Sequence, residues 1–371
     1  MVLELRNRAL PPGNVGRREF VERFFTPPFF LNGDGRPFKF FGFMKAVFRL
    51  LACMTLAMGG AMASAQSPLS KLERVQFLGR DYVRLTDWAR ANSFQVTWLK
   101  KDKVVRLANG SFTLVFTGGS CEARINGINL WLSYPVAVRG GKGYVALLDM
   151  QTAIMPVVFP AKSPGKIALV ALDPGHGGKD KGFHQGSHHE KEYTLLFAQE
   201  LRAQLNRAGI KTTLTRTTDV SVDLSARTDL ARRRGADVFV SLHFNSVGRG
   251  KDEAKGVEVF CLTPAGARST NVRGVNADTR SVRGNRYNDQ SALLAYQLQR
   301  ALVTNLGSED RGVRRARFEV LRTAAMPAVL VEAGFLSHPS EGRKILDPAH
   351  RRQMAQALVK GLLEYKRLVE E

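Results

Sequence analysis

The sequence predicts a layered α/β domain, a mostly parallel sheet with flanking helices, over residues 166–371, preceded by a small α+β domain over residues 68–160. Three observations predict it. Beyond residue 166, short apolar runs alternate with stretches of four-residue helical spacing, the pattern of strand–helix alternation. Before residue 160 the runs are short and alternating, and Asn126-Gly127 marks a tight hairpin. Between the two, Pro156, Pro160 and Ser163-Pro164-Gly165 punctuate a linker. A chain of 371 residues is long enough for two ordinary domains with tails, and its apolar fraction of 44% suits a globular protein.

From the N-terminus, residues 44–65 read MKAVFRLLACMTLAMGGAMASA. Lys45 and Arg49 form a charged start, Leu50 to Ala63 an apolar run too short for a membrane span, and Ala63-Ser64-Ala65 a small-x-small cleavage site. These features predict a secretory signal peptide cut after Ala65, hence export to the periplasm or cell envelope. Residues 1–43 form a leader rich in Phe, Pro, Arg and Gly, and Met44 is an alternative start. Leu50-Leu51-Ala52-Cys53 loosely resembles a lipoprotein box and ranks second. Only Cys121 and Cys261 remain after the cut, in different predicted domains, so no disulfide framework is expected.

In residues 68–160 the segments Gly79 to Asp87 and Gly141 to Asp149 share the pattern G-x-x-Y-V-x-L-x-D, read as a strand entering a short helix. Strand-like runs lie between them at Gln95–Trp98, Lys103–Leu107, Phe112–Phe116, Glu122–Ile125 and Asn129–Leu132. All seven histidines lie beyond residue 175, so no metal site is expected here. The region resembles the stalk-type domain at the N-terminus of copper amine oxidases and of bacterial envelope enzymes, which implies a wall-binding or spacer role; a folding and solubility aid is the alternative.

In residues 166–371 the first apolar run, Ile167 to Leu172, stops at Asp173-Pro174-Gly175 and presents His176. Glu192 to Ala208 carries Tyr193, Phe197, Leu201 and Leu205 on one helical face. A strand is expected at Lys211–Arg216, a helix opening at Asp223, and a buried run at Ala236–Leu242 ending on His243. Further strands are expected at Gly256–Cys261 and Ala328–Glu332, and a helix at Ser291–Leu306. Asp347-Pro348 starts a last helix that buries Met354, Leu358, Leu362, Tyr365 and Val369. Parallel strands place their carboxyl ends on one edge, so His176, His243 and Glu332 should converge there, with Glu190 beside them just before the first helix. Two imidazoles and a carboxylate suit a catalytic zinc (Zn2+) with an open fourth position, leaving a second carboxylate as general base. Spacing alone does not say which carboxylate is the ligand.

The net charge of +22 suits nucleic acid or an anionic envelope. The basic residues are scattered, with no nucleic-acid motif, which favours the envelope and predicts no nucleic-acid partner.

Five segments in order, DPGHGG, GSHHEK, TRTTD with Arg216 and Asp219, SLHFNS and MPAVLVEAGFLS, resemble the zinc-dependent N-acetylmuramoyl-L-alanine amidases of the type-3 family over residues 167–365. The resemblance implies that His176, Glu190 and His243 hold zinc, that Glu332 is the catalytic carboxylate, and that Arg227 and Asn245 occupy family positions. It implies peptidoglycan as substrate and hydrolysis of the amide between the lactyl group of N-acetylmuramic acid and L-alanine, for wall remodelling or daughter-cell separation. Departures are Lys179-Asp180-Lys181-Gly182 in place of an Asp-Pro-Gly run, the extra imidazoles His184, His188 and His189, and His338 where Asn is common. Some members carry an inhibitory helix that a partner displaces. Thr263 to Gln290 lacks that pattern, so an open groove is expected in a monomer whose protein activator, if one exists, is unknown. Arg268, Arg273, Arg280, Arg283 and Arg286 could attract wall carboxylates or simply face solvent. Rival readings are a carboxypeptidase of the same fold and a non-catalytic wall-binding protein.

Overall fold

The computed structural model describes residues 69–77, 79–163, 165–248, 253–271 and 280–370. The expected leader, the signal peptide with its Cys53, and Arg273 lie outside the described residues. Residues 64–371 form one compact unit. Among the described residues no helix is long and apolar enough to cross a membrane.

Among the described residues a 3-10 turn (Leu69–Lys71) precedes β1 (Arg74–Phe77), β2 (Arg80–Arg84) and α1 (Leu85–Ala91), followed by an antiparallel series β3 (Gln95–Lys100), β4 (Val104–Ala108), β5 (Thr113–Thr117), β6 (Glu122–Ile125) and β7 (Ile128–Trp131). Then come β8 (Ala137–Arg139), β9 (Lys142–Ala146), α2 (Leu147–Asp149), a π-helical turn (Met150–Ile154) and α3 (Met155–Val158). The internal repeat is a structural one: β2 enters α1 as β9 enters α2, and the two strands pair antiparallel with Val83 opposite Val145. Asn126-Gly127 makes the hairpin turn with φ of 47° and 83°, the left-handed pair that a two-residue turn between right-twisted strands requires.

The later half supplies β10 (Leu169–Pro174), the two-residue strands β11 (His184–Gln185) and β12 (His188–His189), α4 (Glu190–Arg207), β13 (Lys211–Leu214), α5 (Leu224–Arg233), β14 (Val238–Asn245) and β15 (Val257–Leu262). It ends with α6 (Asn288–Leu306), β16 (Asp310–Ala316), α7 (Glu319–Arg322), β17 (Ala328–Phe335), α8 (Pro339–Leu346) and α9 (Pro348–Glu370). Between β15 and α6 the described residues hold only a 3-10 turn, Arg283–Tyr287.

The strands β13, β10, β14 and β17 are parallel neighbours, as strand–helix alternation predicts. The expected strand near Gly256 is present as β15, but it runs antiparallel to β17. The sheet is therefore mixed. β16 was not expected: DRGVRRA is too charged to read as a buried strand. It forms because tertiary partners satisfy its arginines. Arg315 is 1% exposed, and its guanidinium donates to Cys261 Sγ at 3.0 Å and to the carbonyl of Thr152 at 2.5 Å.

β16 also pairs in parallel with β7, Val313 opposite Leu130. One eleven-stranded sheet, in the order β13-β10-β14-β17-β15-β16-β7-β6-β5-β4-β3, thus runs across the linker expected near residue 160. α4, α6 and α9 cover one face, where Phe197, Leu201, Tyr296, Leu358 and Tyr365 meet Val170, Val240, Val259 and Val331. On the other face α7 packs against α5, β15 and β17, over a smaller core including Phe239, Phe260 and Leu330.

The join rests on Asp310. Its carboxylate accepts from the Asn129 amide at 2.7 Å, from Gln299 Nε2 at 2.6 Å and from the Gly312 amide at 2.9 Å. Asp310→Ala leaves these buried donors unpaired and should cost about 1–3 kcal/mol, read by denaturant unfolding, with amide exchange quickening first along β7 and β16.

Candidate metal centre

The centre is built on the turn after β10. The strand ends at Pro174, where the sequence placed its end, and the Gly175 amide still bonds to the carbonyl of Leu242 at 3.0 Å. His176 then takes φ of 62°, an uncommon conformation for a residue with a side chain. Asp173, 1% exposed, accepts from Thr215 Oγ1 at 2.6 Å, Ser241 Oγ at 2.7 Å and Arg227 Nη1 at 2.8 Å. Arg227 also donates to the carbonyls of Pro174 and His176, and Arg216 to those of Pro174 and Gly175. Asp219 accepts from the Gly178 amide at 2.7 Å and pairs with Lys191 at 2.6 Å. The motif residues Arg216, Asp219 and Arg227 therefore fasten the turn that presents His176.

Gly175 has a second task. A Cβ there would collide with the ring of His243, so glycine lets the two strands' functional groups meet. Gly182 does the same for Glu190, whose side chain fills the space a Cβ would take. Glu190 is the first residue of α4 rather than a residue ahead of the helix. His243 and Glu332 do not end their strands: β14 continues to Asn245 and β17 to Phe335.

His176, Glu190 and His243 offer ligand atoms that lie within 4.8 Å of one another, and they form the single such group among the described residues. His176 Nε2 lies 3.0 Å and His243 Nδ1 3.1 Å from the same atom, Glu190 Oε1. Glu190 is 4% exposed, and its two oxygens also accept from the amides of Phe244 and Phe183. Two imidazole nitrogens and one carboxylate aimed at a common point fit a divalent ion of the zinc type.

Burial opposes the charge on Glu190, yet the hydrogen bonds from His176 and His243 hold its carboxyl far below the usual range. Burial likewise opposes protonation of His176, but Glu190 and Asp180 outweigh it and raise its pKa. Glu332 goes the opposite way from Glu190. Its Cα sits opposite His243 on β14 and opposite Glu258 on β15, and its Oε2 is buried with no hydrogen-bond partner. Burial first, then the charges of Glu190 and Glu258, push its pKa well above the ordinary carboxylate value. Two nearby carboxylates thus carry opposite tendencies, one fixed as an anion and one favouring its proton.

Two site residues were missed from sequence. Asp180 Oδ2 lies 2.8 Å from His176 Nδ1, the carboxylate–imidazole contact that orients a metal-binding histidine; its four-residue spacing from His176 was the available signal. Glu258, 5% exposed, holds Asn245 Nδ2 at 2.6 Å; a lone acid inside the apolar run GVEVFCL was its signal. The extra histidines form no metal site with one another. His188 meets Tyr193 Oη at 2.6 Å, and His189 meets Glu192 at 3.1 Å. His338 caps α8, its Nδ1 accepting from the amides of Ser340 and Glu341, which a shorter Asn could also do.

A profile of the family described as N-acetylmuramoyl-L-alanine amidase matches residues 170–364. The chain belongs to this family. The amidase match takes in the whole candidate centre. The N-acetylmuramoyl-L-alanine amidase AmiA of Salmonella typhimurium is 34% identical over 227 residues, 55% of this chain and 78% of AmiA. AmiC of Neisseria meningitidis is 34% identical over 54% of this chain and 53% of its own. A crystal structure of an N-acetylmuramoyl-L-alanine amidase from Clostridium difficile is 33% identical over 54% of this chain and 97% of that one, with a TM-score of 0.45.

Asp180→Asn should weaken divalent-metal affinity by about 10–100-fold, measured by competition with a chromogenic chelator, while the fold by circular dichroism stays unchanged.

Proposed function

We propose that the chain hydrolyses the amide between the lactyl group of N-acetylmuramic acid and the L-alanine of the peptidoglycan stem peptide, as an exported zinc enzyme. The observation that carries the reading is Glu332: a carboxylate whose Oε2 is shielded from solvent and has no hydrogen-bond partner, placed beside three convergent metal-type ligands in a chain of the amidase family. In this reading His176, Glu190 and His243 hold the ion. Zinc bound there supplies an acidified water, with a pKa of about 7, and a Lewis acid for the scissile carbonyl.

The chain's own residues do the rest. Asp180 fixes the ring of His176 so that Nε2 faces the centre. Glu190, kept anionic, offsets positive charge without competing for a proton. Glu332 has a raised proton affinity, which suits a group that first takes the proton of the attacking water and then delivers it to the departing alanine nitrogen. An amine leaving without that proton would be a very poor leaving group.

Export is proposed through residues 44–65 as a signal peptide, with peptidoglycan as the partner and the periplasm or cell envelope as the place of action. A carboxypeptidase of the same fold is the reading to be excluded. Mass spectrometry of digested peptidoglycan separates the two: amidase action releases intact stem peptides with a free alanine amine, and trimmed peptides would overturn the proposal. Glu332→Ala should keep the metal and lose about a hundredfold to ten-thousandfold in rate, whereas His176→Ala should lose both. Loss of metal in Glu332→Ala but not in Glu190→Ala would exchange the two carboxylate roles.

A further inference from the structure

The row of paired residues that passes through the candidate centre does not stop there. His243 on β14 lies opposite Glu332 on β17, Glu332 opposite Glu258 on β15, and Glu258 opposite Gly312 on β16. Paired residues point to the same face of a sheet. Gly312 carries no side chain, and its space is taken by β7: a Cβ there would lie 3.0 Å from Trp131 Cδ1 and 3.0 Å from Asn129 Cβ. The register of Val313 opposite Leu130 sets Asn129 in that row, and Trp131, two residues further along β7, on the same face as Glu332 with its ring edge over Gly312.

Two arginines stand around it. Arg314 Cζ lies 4.7 Å from the Trp131 ring centroid, and Arg311 Cζ lies 4.8 Å from that of Phe335. Both pair with the one carboxylate of Glu258, at 2.6 Å and 3.3 Å, so the group carries one positive charge in excess. Their side chains keep 17% and 28% exposure, enough to present guanidinium N–H groups to a ligand on this face. Trp131 Nε1 donates to the carbonyl of Arg311 at 2.8 Å, which ties the indole to the arginine-bearing strand.

Building on the amidase reading above, we propose that Trp131, Arg311 and Arg314 form a subsite for a carboxylate of the stem peptide, so that the first domain takes part in substrate recognition. The dimensions agree. Strands lie about 4.8 Å apart, so β16 and β7 are roughly 10 and 14 Å from Glu332. An extended peptide advances about 3.3–3.6 Å per residue, so the subsite falls three or four residues from the scissile amide. A guanidinium pair suits a carboxylate through charge and a bidentate donor edge.

The test uses the zinc-loaded full chain and two soluble muramoyl-peptides, one with free stem carboxylates and one with those groups converted to carboxamides. The wild type should prefer the carboxylate form through KM. Arg314→Gln and Trp131→Ala should raise KM for that form about ten- to a hundredfold, as expected for a lost charged hydrogen bond, with kcat falling far less. The preference should then collapse towards unity, and Trp131→Phe should restore much of it. An unchanged preference in both variants, or an equal loss of kcat on both substrates, would overturn the subsite. If Arg314→Gln fails to fold because Glu258 loses its partner, Trp131→Ala leaves that pair intact. Calorimetric titration of the wild type with the free stem peptide and its carboxamide also needs no variant; equal affinity for the two sinks the proposal. Failure to cleave either muramoyl-peptide, with the stem-peptide preference retained, would instead fault the amidase reading alone.

Discussion

The candidate centre depends on one buried contact set, the clamp that Asp173, Arg216 and Arg227 place on the turn from Pro174 to His176. A positive φ at His176 is uphill for an L-residue and holds only where the surroundings over-determine it. Here Asp173 ties the end of β10 to Thr215, Ser241 and the guanidinium of Arg227. The two arginines satisfy the carbonyls that the turn exposes. Removing the Arg227 guanidinium would take the donor from the His176 carbonyl and the cationic partner from the buried Asp173, both costly in a low-dielectric interior. The sharp turn, the approach of His243 through the space at Gly175, and the seat of Glu190 at Gly182 follow from this one arrangement.

Electrostatics then separates groups of the same chemical kind. Glu190, Glu258 and Glu332 are all shielded acids near one another, yet their surroundings differ. Glu190 faces two imidazoles and two backbone amides. Glu258 faces two guanidiniums and an amide side chain. Glu332 faces mainly the other two carboxylates. The acid with no cationic partner is the one whose proton is most readily kept, and it is the one on the row that crosses the centre.

The continuous sheet changes what the strands before residue 160 can contribute. Antiparallel strands β3 to β7 end a sheet whose other edge carries β10 and β13. Edge strands invite pairing by other chains; here the exposed side of β16 is covered from within the same chain. The register Val313 opposite Leu130 also sets Trp131 of β7 on the face that holds Glu332, with its ring edge over Gly312.

The sequence by itself determined the strand–helix alternation, the hairpin at Asn126-Gly127, the repeated strand-to-helix unit and the short list from which the candidate ligands come. Each of these is written in residues a few positions apart: apolar period, turn glycines, a histidine or acid at the end of an apolar run. Tertiary structure decided the antiparallel sense of β15, the existence of β16 and the partners of Glu258. These depend on groups far apart in the chain, since Arg315 is buried only because Cys261 Sγ and the carbonyl of Thr152 receive it. Strand direction and the burial of charge are set by what is found across the sheet, and local residue patterns carry no record of that.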